Sequence, residues 1–148
     1  MIIIAHNIRS LHNLGSIFRS AETFAVDKIY LTGYTAVPPH KDIAKVALGS
    51  ENRIPWEKQL DIFSLLDQLK KAGFSLIGLE TGDEAKSIND FVSQKPIALI
   101  LGNEVTGIET EVRDKLDQLV EIPMSGRKKS LNVSVAAGIA MFVLGLKE

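Results

Sequence analysis

The sequence predicts an α/β protein whose mostly parallel sheet is flanked by helices. Short apolar runs rich in β-branched residues recur along the 148 residues and often end at Gly or Pro, as buried strands do. Segments with the hydrophobic period of a helix separate these runs. Strands and helices that alternate along a chain pack as layers around a parallel sheet. These two observations indicate one α/β domain, which we expect to span residues 1–148.

Five apolar runs are predicted to be strands. They cover residues 2–5 (IIIA), 28–33 (KIYLTG), 74–80 (FSLIGLE), 97–102 (IALILG) and 119–123 (LVEIP). A parallel sheet binds its ligands beyond the carboxyl ends of its strands, because the loops that follow the strands gather at that edge. The loops expected to carry a site are therefore residues 32–34, 80–82, 102–107 and 123–130.

The first predicted helix follows the first strand. Its apolar face consists of Leu14, Ile17, Phe18, Ala21, Phe24 and Ala25. Asn13 directly precedes this face and is a natural N-cap, because its side-chain oxygen can accept a hydrogen bond from a free backbone N–H group. On this pattern Arg19 lies on the flank or the opposite face of the helix. The segment alone favours a solvated role for Arg19.

Three further helices are predicted. The second helix has an apolar face made of Leu60, Phe63, Leu66 and Leu69. It ends at Gly73. A helix in an acid-rich segment starts near Glu109 or Thr110. The last helix, from about Asn132 to Leu146, is rich in small and apolar residues and has no wholly polar face, so most of its sides must be covered.

The composition excludes several classes of protein. The absence of cysteine rules out disulfide frameworks, thiolate metal sites and cysteine nucleophiles, and it fits a reducing compartment. The N-terminal apolar run is too short for a signal peptide or a membrane span, so we expect a cytoplasmic protein. A formal net charge of −1 gives no overall attraction to nucleic acid. The local cluster GRKKS (126–130) is by itself best explained as a solvated loop.

A second polar segment is LILGNEVTGIETE (99–111). A buried strand leads to Gly102, Asn103 and Glu104, and a second glycine follows at Gly107. The glycines do not form a phosphate-binding loop, because Ile108 stands where that loop needs Lys. A plain turn is the simplest explanation, but a carboxylate directly after a strand at the expected ligand edge is unusual for a turn.

A third polar segment is EIPMSGRKKSLNVSVAAG (121–138), in which a basic loop leads into the last helix. Ser130 and Asn132 lie at the start of this helix, where either can cap it or hold a polar ligand. Capping alone explains either residue. The chain has no His-Glu-x-x-His helix and no Gly-x-Ser-x-Gly turn, and its three histidines do not combine with carboxylates at metal-ligand spacing. We therefore expect no bound metal.

Together, these segments resemble the motifs of a known family. NLGSIFRSAETF (13–24), LILGNEVTGI (99–108) and IPMSGRKKSLNVSVAAGIAMF (122–142) are similar, in this order, to the three motifs of the SpoU-like, TrmH-type branch of the SPOUT RNA methyltransferases. KVALGSENRIPWEK (45–58) is similar to that family's variable middle. The resemblance covers nearly the whole chain, and it is specific because three separate motifs coincide.

The resemblance implies a fold, a cofactor and a reaction. It implies that the C-terminal part is threaded into a deep trefoil knot, a rare exception among protein folds. It also implies that S-adenosylmethionine is held in the knot and that a homodimer methylates a ribose 2′-hydroxyl of RNA. The apolar last helix agrees with a dimer interface, because it needs cover from a partner as well as from its own sheet.

The family's motifs map onto individual positions of this chain. The cofactor loops correspond to Leu79, Glu80, Thr81, Gly82, Leu101, Gly102, Ile122, Met124, Ser130, Leu131 and Asn132. The polar active-site positions correspond to Asn13, Arg19, Glu104, Ser130 and Asn132. The family proposal has Arg19 take the proton of the ribose hydroxyl. Because arginine keeps its charge in proteins, the alternative is that Arg19 binds the adjacent phosphate and orients the hydroxyl. Glu104, Ser130 and Asn132 are expected to hold Arg19 and the loop.

The sequence has no extra N-terminal domain of the kind that many relatives use to grip RNA, so we expect the dimer surface to bind the RNA. The predicted phosphate contacts are Arg9, Arg19, Lys41, Lys45, Arg127, Lys128 and Lys129. The small architecture most resembles enzymes that act on a tRNA anticodon loop, which favours tRNA over ribosomal RNA. One departure from the family is Ala25, which stands where Gly is frequent and is expected to cost little at a helix end.

Two other interpretations stay open. The chain could be a binding module that keeps the knot and the cofactor pocket without catalysis, although the joint presence of Asn13, Arg19 and Glu104 argues against this. It could also be a doubly wound nucleotide-binding protein of another kind. That interpretation lacks support, because no glycine fingerprint for phosphate is present.

Overall fold

In the computed structural model, which describes residues 1–146, seven strands form one sheet in which all neighbouring strands run parallel. The strands are β1 (Ile2–His6), β2 (Lys28–Thr32), β3 (Trp56–Gln59), β4 (Ser75–Leu79), β5 (Lys86–Ser87), β6 (Ile97–Leu101) and β7 (Gln118–Glu121). Their order across the sheet is β3-β2-β1-β6-β4-β7-β5. The predicted α/β fold with a mostly parallel sheet is confirmed, and the five predicted strands form close to their expected bounds.

Helices cover both faces of the sheet. They are α1 (Leu11–Thr23), α2 (Lys41–Ala47), α3 (Ser50–Arg53), α4 (Ile62–Lys71), α5 (Thr110–Arg113) and α6 (Val133–Gly145), with one 3₁₀ turn at Ile88–Asp90. α1 and α6 share a hydrophobic core on one face, and α4 packs on the other face. The helix expected near Glu109 is α5, for which Glu109 is the N-cap.

β1 and β6 lie side by side at the centre of the sheet and are buried on both faces. Ile3 and Ala5 face the core shared with α1 and α6, whereas Ile2 and Ile4 face the core shared with α4. Because side chains alternate between the two faces, a strand that is covered on both sides needs apolar residues throughout. This explains the unbroken apolar runs in the sequence. Because β1 and β6 run parallel, the loops that follow them leave the same edge of the sheet.

The start of α1 differs from the prediction, because its N-cap is Ser10 and not Asn13. Ser10 has extended backbone angles, and its hydroxyl oxygen accepts a hydrogen bond from the backbone N–H of Asn13 at 3.2 Å. Both residue types cap helices, and the period of an apolar face does not distinguish caps that are three residues apart. Asn13 thus lies in the first turn, where its side chain is available for contacts elsewhere.

The end of α1 also differs. The helix ends at Thr23, so Phe24 and Ala25 are exposed and do not continue its buried face. Ala25 has a φ of 53°, in the left-handed region where a Cβ costs about 1 kcal/mol relative to Gly. The expectation that Ala25 costs little is therefore wrong.

α4 begins later than its pattern predicts. Asp61 is the N-cap and accepts a hydrogen bond from the backbone N–H of Phe63 at 3.0 Å. Leu60 lies before this cap and is 80% exposed, so its expected place on the apolar face is wrong. Phe63 is also exposed. The buried face consists of Ile62, Leu65, Leu66 and Leu69. The predicted end is confirmed, since Gly73 follows the C-cap with a φ of 89°.

α6 has the all-round apolar character that the sequence predicts. Its N-cap is Asn132, whose side-chain oxygen accepts a hydrogen bond from the backbone N–H of Ser134 at 2.9 Å. One side of α6 is buried against α1 and the sheet. The other side is exposed although it is apolar, and its large side chains are Val135, Ile139, Phe142 and Leu146. Within residues 1–146, no helix is both long and apolar enough to cross a lipid bilayer.

Candidate active site

A cavity of about 270 Å³ opens at the carboxyl ends of β4, β6 and β7. Three segments of the chain enclose it: the loop after β4, the glycine loop (residues 102–108) and the segment that joins β7 to α6 through the basic loop (residues 123–131). The lining residues are Leu79, Glu80, Thr81, Leu101, Gly102, Asn103, Glu104, Val105, Gly107, Glu121, Ile122, Met124, Ser130, Leu131, Val133 and Ala136. The cavity thus lies at the edge where the strand-end rule places ligands.

The lining includes most of the residues that the sequence assigned to a cofactor. Gly82 and Asn132 are the two such residues that do not line it. Several lining residues are not among those assigned to a cofactor from the sequence, and these are Asn103, Glu104, Val105, Gly107, Glu121, Val133 and Ala136. All of them lie within a few positions of predicted residues, either in the same loops or in the adjoining ends of β7 and α6. Applying the strand-end rule to complete loops, and not to motif positions alone, would have found most of them.

The charges that line the cavity have one sign. Among the lining residues within 1–146, Glu80, Glu104 and Glu121 contribute carboxylates and none is Lys, Arg or His. Outside the lining, the Arg113 guanidinium lies 3.8 Å from the Glu80 carboxylate. The rest of the lining is largely apolar side chains and loop backbone. Such a cavity attracts a ligand that carries positive charge and repels one that carries phosphate groups. Its apolar part suits a flat, uncharged ring.

The glycine loop is closed by backbone contacts. Asn103 and Gly107 exchange two backbone hydrogen bonds of 3.0 Å each. Gly102 packs so closely on the returning chain that a Cβ at this position would lie 2.5 Å from the carbonyl carbon of Gly107. The Asn103 side-chain oxygen accepts hydrogen bonds from the backbone N–H groups of Val105 and Thr106 at 2.8 and 2.9 Å. This loop therefore needs glycine at 102 for space and Asn103 for internal hydrogen bonds.

Glu80 attaches the loop after β4 to the glycine loop. One carboxylate oxygen accepts a hydrogen bond from the backbone N–H of Ile108 at 3.0 Å, and the other accepts one from the backbone N–H of Thr81 at 3.0 Å. A Cβ on Gly107, which has a φ of 70°, would overlap the Glu80 carboxylate. The side chain of Glu80 thus fixes two of the three walls of the cavity relative to each other.

Glu104 connects the glycine loop to the start of α1. Its carboxylate accepts hydrogen bonds from the backbone N–H groups of Arg9 and Ser10 at 3.0 and 2.9 Å and from the Asn13 side-chain amide at 3.2 Å. Partial burial opposes ionisation of this carboxyl, but the donated hydrogen bonds outweigh the burial and lower the pKa of Glu104. The carboxylate is therefore ionised at neutral pH and holds the N-terminus of α1.

Asn132 extends this network to α6. Its side-chain N–H donates to the side-chain oxygen of Asn13 at 3.1 Å, while its own oxygen caps α6. Three of the five predicted active-site residues, Asn13, Glu104 and Asn132, are thus joined in one hydrogen-bonded chain beside the cavity. Ser130 lies at the cavity wall and outside this chain.

Arg19 lies apart from both the network and the cavity lining. It is exposed on α1, six residues after Asn13, which places it about 120° around the helix from that residue. The expectation that Glu104 and Asn132 hold Arg19 is therefore not what their contacts show, because both bind Asn13 instead. The guanidinium faces solvent, where it is accessible to a large substrate.

The remaining predicted RNA contacts are all exposed. Arg9 precedes α1, and Lys41 and Lys45 lie on α2, which packs against α1. Arg127, Lys128 and Lys129 form the centre of the basic loop. Cations thus occur outside the acidic cavity, on both sides of α1 and on the loop at the cavity mouth. Within residues 1–146, no cluster of three or more His, Asp or Glu side chains is arranged to hold a metal ion.

Comparison with known proteins gives consistent matches. The model of the SpoU rRNA methylase family matches residues 1–142. A Staphylococcus haemolyticus protein assigned to the TrmH family of tRNA/rRNA methyltransferases is 33% identical over 141 residues, which are 95% of this chain and 56% of that protein. The 23S rRNA (guanosine-2′-O-)-methyltransferase RlmB of Nitrosomonas europaea is 32% identical over 142 residues, which are 96% of this chain and 54% of that protein.

The fold also matches solved structures. The AdoMet-bound rRNA methyltransferase from Sinorhizobium meliloti has a TM-score of 0.90 at 26% identity, and the match covers 96% of this chain and 54% of that chain. The chain spans about half the length of the curated relatives it matches.

Proposed function

The chain belongs to the SpoU rRNA methylase family, and from that premise we propose that it transfers a methyl group from S-adenosylmethionine to a ribose 2′-hydroxyl of RNA. The observation that carries the proposal is the cavity with three carboxylates and no cation. Of the common nucleoside cofactors, NAD and ATP bring phosphates that this cavity would repel, whereas S-adenosylmethionine brings a sulfonium cation.

The residues present fit this cofactor. Ile122, Leu131 and neighbouring apolar side chains would contact the adenine. Gly102 has no side chain, so the backbone of the glycine loop is also accessible to the ring. When bound, S-adenosylmethionine would supply the methyl group: the bond from sulfur to the methyl carbon would break as the bond to the ribose oxygen forms, S-adenosylhomocysteine would remain, and the hydroxyl proton would pass to solvent water. The relative from Sinorhizobium meliloti, described as AdoMet-bound, supports this choice.

The polar residues divide into two roles. Arg19, exposed and charged, binds the phosphate beside the target ribose and orients the 2′-hydroxyl, which a planar guanidinium does without losing its proton. Glu104, Asn13 and Asn132 fix the start of α1 and the start of α6 against the glycine loop through their hydrogen bonds. Ser130 lines the cavity, and its proposed role is to contact the reacting groups.

We propose that the active form is a homodimer in which the apolar outer side of α6 is covered by a second copy. Val135, Ile139, Phe142 and Leu146 recur at helical spacing along this side, and the Phe142 ring packs 5.8 Å from that of Phe24. A contiguous apolar surface of this kind on one helix is typical of an interface between copies. Sedimentation of the protein and of an Ile139→Lys variant tests this, since the variant should be monomeric.

The trefoil knot is likewise a proposal that follows from the family. Val133 and Ala136 of α6 line the cavity together with loops that precede α6, and α6 packs on α1 near the start of the chain. This arrangement supports a C-terminal part that is threaded through an earlier loop. The single domain over residues 1–148 and the cytoplasmic location stay predictions.

The substrate is proposed to be tRNA, at its anticodon loop, with ribosomal RNA as the other candidate. Exposed cations on α1, α2 and the basic loop support an RNA partner, because they lie outside the cavity lining and are accessible to phosphate groups. The relative from Nitrosomonas europaea is named as a 23S rRNA methyltransferase, so the test must include both RNAs.

The deciding experiment measures transfer of a labelled methyl group to bulk tRNA and, separately, to ribosomal RNA. Arg19→Ala and Arg19→Lys should each lower turnover by about 100-fold or more, because Lys lacks the planar fork. Both variants should bind S-adenosylhomocysteine as the parent protein does. An Arg19→Lys variant with near-normal turnover would contradict the role given to Arg19.

A thermal shift assay separates the alternatives. S-adenosylhomocysteine should raise the melting temperature, whereas NAD and ATP should not, because only a ligand that binds the folded state stabilises it. Stabilisation by NAD or ATP would point to another nucleotide-binding protein. Cofactor binding without transfer to either RNA would favour a binding module without catalysis.

A further inference from the structure

Tyr34 is the most exposed aromatic side chain among residues 1–146, at 61% of its full accessible surface. It follows β2 at the carboxyl edge of the sheet, the edge that also carries the cavity. An exposed aromatic ring leaves apolar surface in water, which a ligand with a flat ring can cover. Neither the cavity lining nor the Asn13–Glu104–Asn132 network uses this ring.

Tyr34 is held by hydrogen bonds at its backbone and at its hydroxyl. Its backbone N–H donates to the Asn7 side-chain oxygen at 3.1 Å, and its hydroxyl oxygen accepts a hydrogen bond from the Asn103 side-chain N–H at 2.7 Å. The same Asn103 N–H group also lies 3.0 Å from the backbone oxygen of Asn7. The exposed ring is thus attached to a residue that lines the cavity.

The loop that carries Tyr34 is fixed on both sides of the ring. The Lys58 ammonium donates hydrogen bonds to the backbone oxygens of Gly33 and Thr35, at 2.6 Å each. The Thr35 hydroxyl donates to the backbone oxygen of Ala5 at 2.9 Å and accepts from the backbone N–H of Ile8 at 3.0 Å. A loop held this firmly presents its exposed side chain with little entropy left to lose on binding.

Asn103 also connects Tyr34 to a second exposed side chain. The Asn103 amide oxygen accepts from the backbone N–H of Val105, and Val105 is 81% exposed at the cavity wall. Asn103, which lines the cavity, thus contacts the hydroxyl of Tyr34 and the backbone of Val105. Glu104, which binds Asn13, follows it directly in the chain. The Tyr34 ring is therefore attached to the segment that carries the proposed reaction centre.

We infer that the Tyr34 ring stacks on a base of the RNA substrate beside the ribose that is methylated. The inference rests on the proposed function and adds a specificity-determining residue to it. Unpaired RNA bases stack on exposed aromatic side chains, and such stacking tolerates different bases because each has a π-face. Tyr34 thereby selects an unstacked, single-stranded nucleotide, while the phosphates are held by cations.

Two substitutions at Tyr34 and one control test the inference. Tyr34→Phe keeps the ring and removes the hydroxyl that binds Asn103, whereas Tyr34→Leu removes the ring. Phe63→Leu removes an exposed aromatic ring from the first turn of α4, where no hydrogen bond to the cavity is present among residues 1–146, and serves as the matched control. For each protein, KM and kcat are measured with whichever RNA fraction the parent methylates, and RNA binding is measured without cofactor by filter retention.

Tyr34→Leu should raise the KM for RNA and weaken RNA binding by about tenfold, while kcat and the binding of S-adenosylhomocysteine stay within about twofold. Tyr34→Phe and Phe63→Leu should match the parent within about twofold. Equal losses in Tyr34→Phe and Tyr34→Leu would overturn the inference, because the hydrogen bond to Asn103 would then carry the effect. Unchanged RNA binding in Tyr34→Leu would also overturn it.

The two proposals fail in different ways. If the parent protein methylates RNA and Tyr34→Leu behaves like it, the stacking inference is wrong and the proposed function stands. If the parent binds RNA with a dependence on the Tyr34 ring but transfers no methyl group to tRNA or ribosomal RNA, the proposed function is wrong and the stacking inference stands.

Discussion

The glycine loop and the basic loop line the same cavity, but the fold holds them in opposite ways. The glycine loop is tied by its own backbone pair, by Glu80 and, through Glu104, by the start of α1. The basic loop is exposed along nearly its whole length, and no hydrogen bond joins it to the rest of residues 1–146. Only Met124, Ser130 and Leu131 of this loop reach the cavity wall.

This difference indicates that the glycine loop has its final geometry before a ligand binds, whereas the basic loop can adapt. A loop with satisfied backbone groups and buried anchors has one geometry, which suits the side of a site that positions reacting atoms. A loop that few contacts hold belongs to the low-stability part of a fold and can adapt to its ligand. Substitutions in the two loops should therefore differ in their effect on the stability of the free protein.

The largest effect on stability is expected for Gly102→Ala. The new Cβ would lie 2.5 to 2.7 Å from backbone atoms of Gly107 and Ile108, so the glycine loop would have to open. We expect a loss of about 3 kcal/mol in the free energy of unfolding and weakened binding of S-adenosylhomocysteine. Urea unfolding and isothermal titration calorimetry measure these two quantities.

Gly126→Ala in the basic loop is the matched control for that substitution. A Cβ at Gly126 would meet no atom within 4 Å, so the free energy of unfolding should stay within about 0.5 kcal/mol of the parent value. Equal destabilisation by the two alanines would mean that the loops do not differ in the way their contacts suggest.

The next largest effect is expected for Glu104→Gln. The variant replaces a carboxylate that accepts hydrogen bonds from Arg9, Ser10, Asn13 and Asn103 by an amide that can accept with only one of its two end atoms. Hydrogen bonds to a charged acceptor are stronger than neutral ones, so we expect a loss of about 2 kcal/mol at pH 7. Turnover should fall as well, because the start of α1 would no longer be fixed to the glycine loop.

The pH dependence of this difference gives a second check. Because folding lowers the pKa of Glu104, its contribution to stability is complete above the pKa of an unfolded glutamate and disappears as the pH falls through the folded pKa. Urea unfolding at pH 7 and at pH 3 should therefore show a smaller gap between parent and variant at pH 3. A gap that stays constant would place the effect in packing and not in the charge.

A smaller effect is expected at Asn132, where the basic loop ends and the fixed part of the site begins. Asn132→Ala removes both the N-cap of α6 and the hydrogen bond to Asn13, and should cost about 1 kcal/mol of stability. Asn132→Ser keeps a capping hydroxyl but is too short to reach Asn13. If the hydrogen bond to Asn13 serves the reaction, Asn132→Ser should recover stability in thermal unfolding without recovering turnover.

Buried elements of this protein can be predicted from the sequence, whereas exposed or edge elements cannot. Strands such as β1 and β6 are predictable because burial on both faces forces unbroken apolar runs. β3 (Trp56–Gln59) lies at the edge of the sheet and its residues are only half-buried, so its sequence WEKQ carries no such pattern. A cap can be recognised in a sequence only by its residue type. Because Ser10 and Asn13 are both capping residue types, the sequence does not show that Ser10 is the N-cap of α1.

The candidate site was predictable where it follows from the strand-end rule and from family motifs, as for Leu79, Gly102 and Ile122. Contacts between distant segments were not. The hydrogen bond from Asn132 to Asn13 joins residues 119 positions apart, and nothing in either local pattern selects the other. The exposure of Tyr34 and its attachment to Asn103 likewise depend on how β2 and β6 are placed in the sheet.

The smallest effect on stability is expected when Arg127, Lys128 and Lys129 are replaced together by alanine. All three side chains are exposed, so the free energy of unfolding should stay within about 0.5 kcal/mol of the parent value. Their role lies in the complex: each phosphate contact to single-stranded RNA contributes about 0.7 to the slope of log affinity against log salt concentration. Losing three contacts should therefore reduce that slope by about 2.

Filter binding of RNA between 50 and 300 mM KCl measures the slope, and urea unfolding measures the stability of the same variant. If the basic loop adapts to its ligand, the variant should show a reduced salt slope and an unchanged free energy of unfolding. The cations would then contact the RNA without stabilising the folded protein. If the slope did not change, the basic loop would have no contact with phosphate. The RNA would then have to bind through Arg9, Lys41 and Lys45 on the α1 and α2 side, and the adaptable loop would serve only the cofactor cavity.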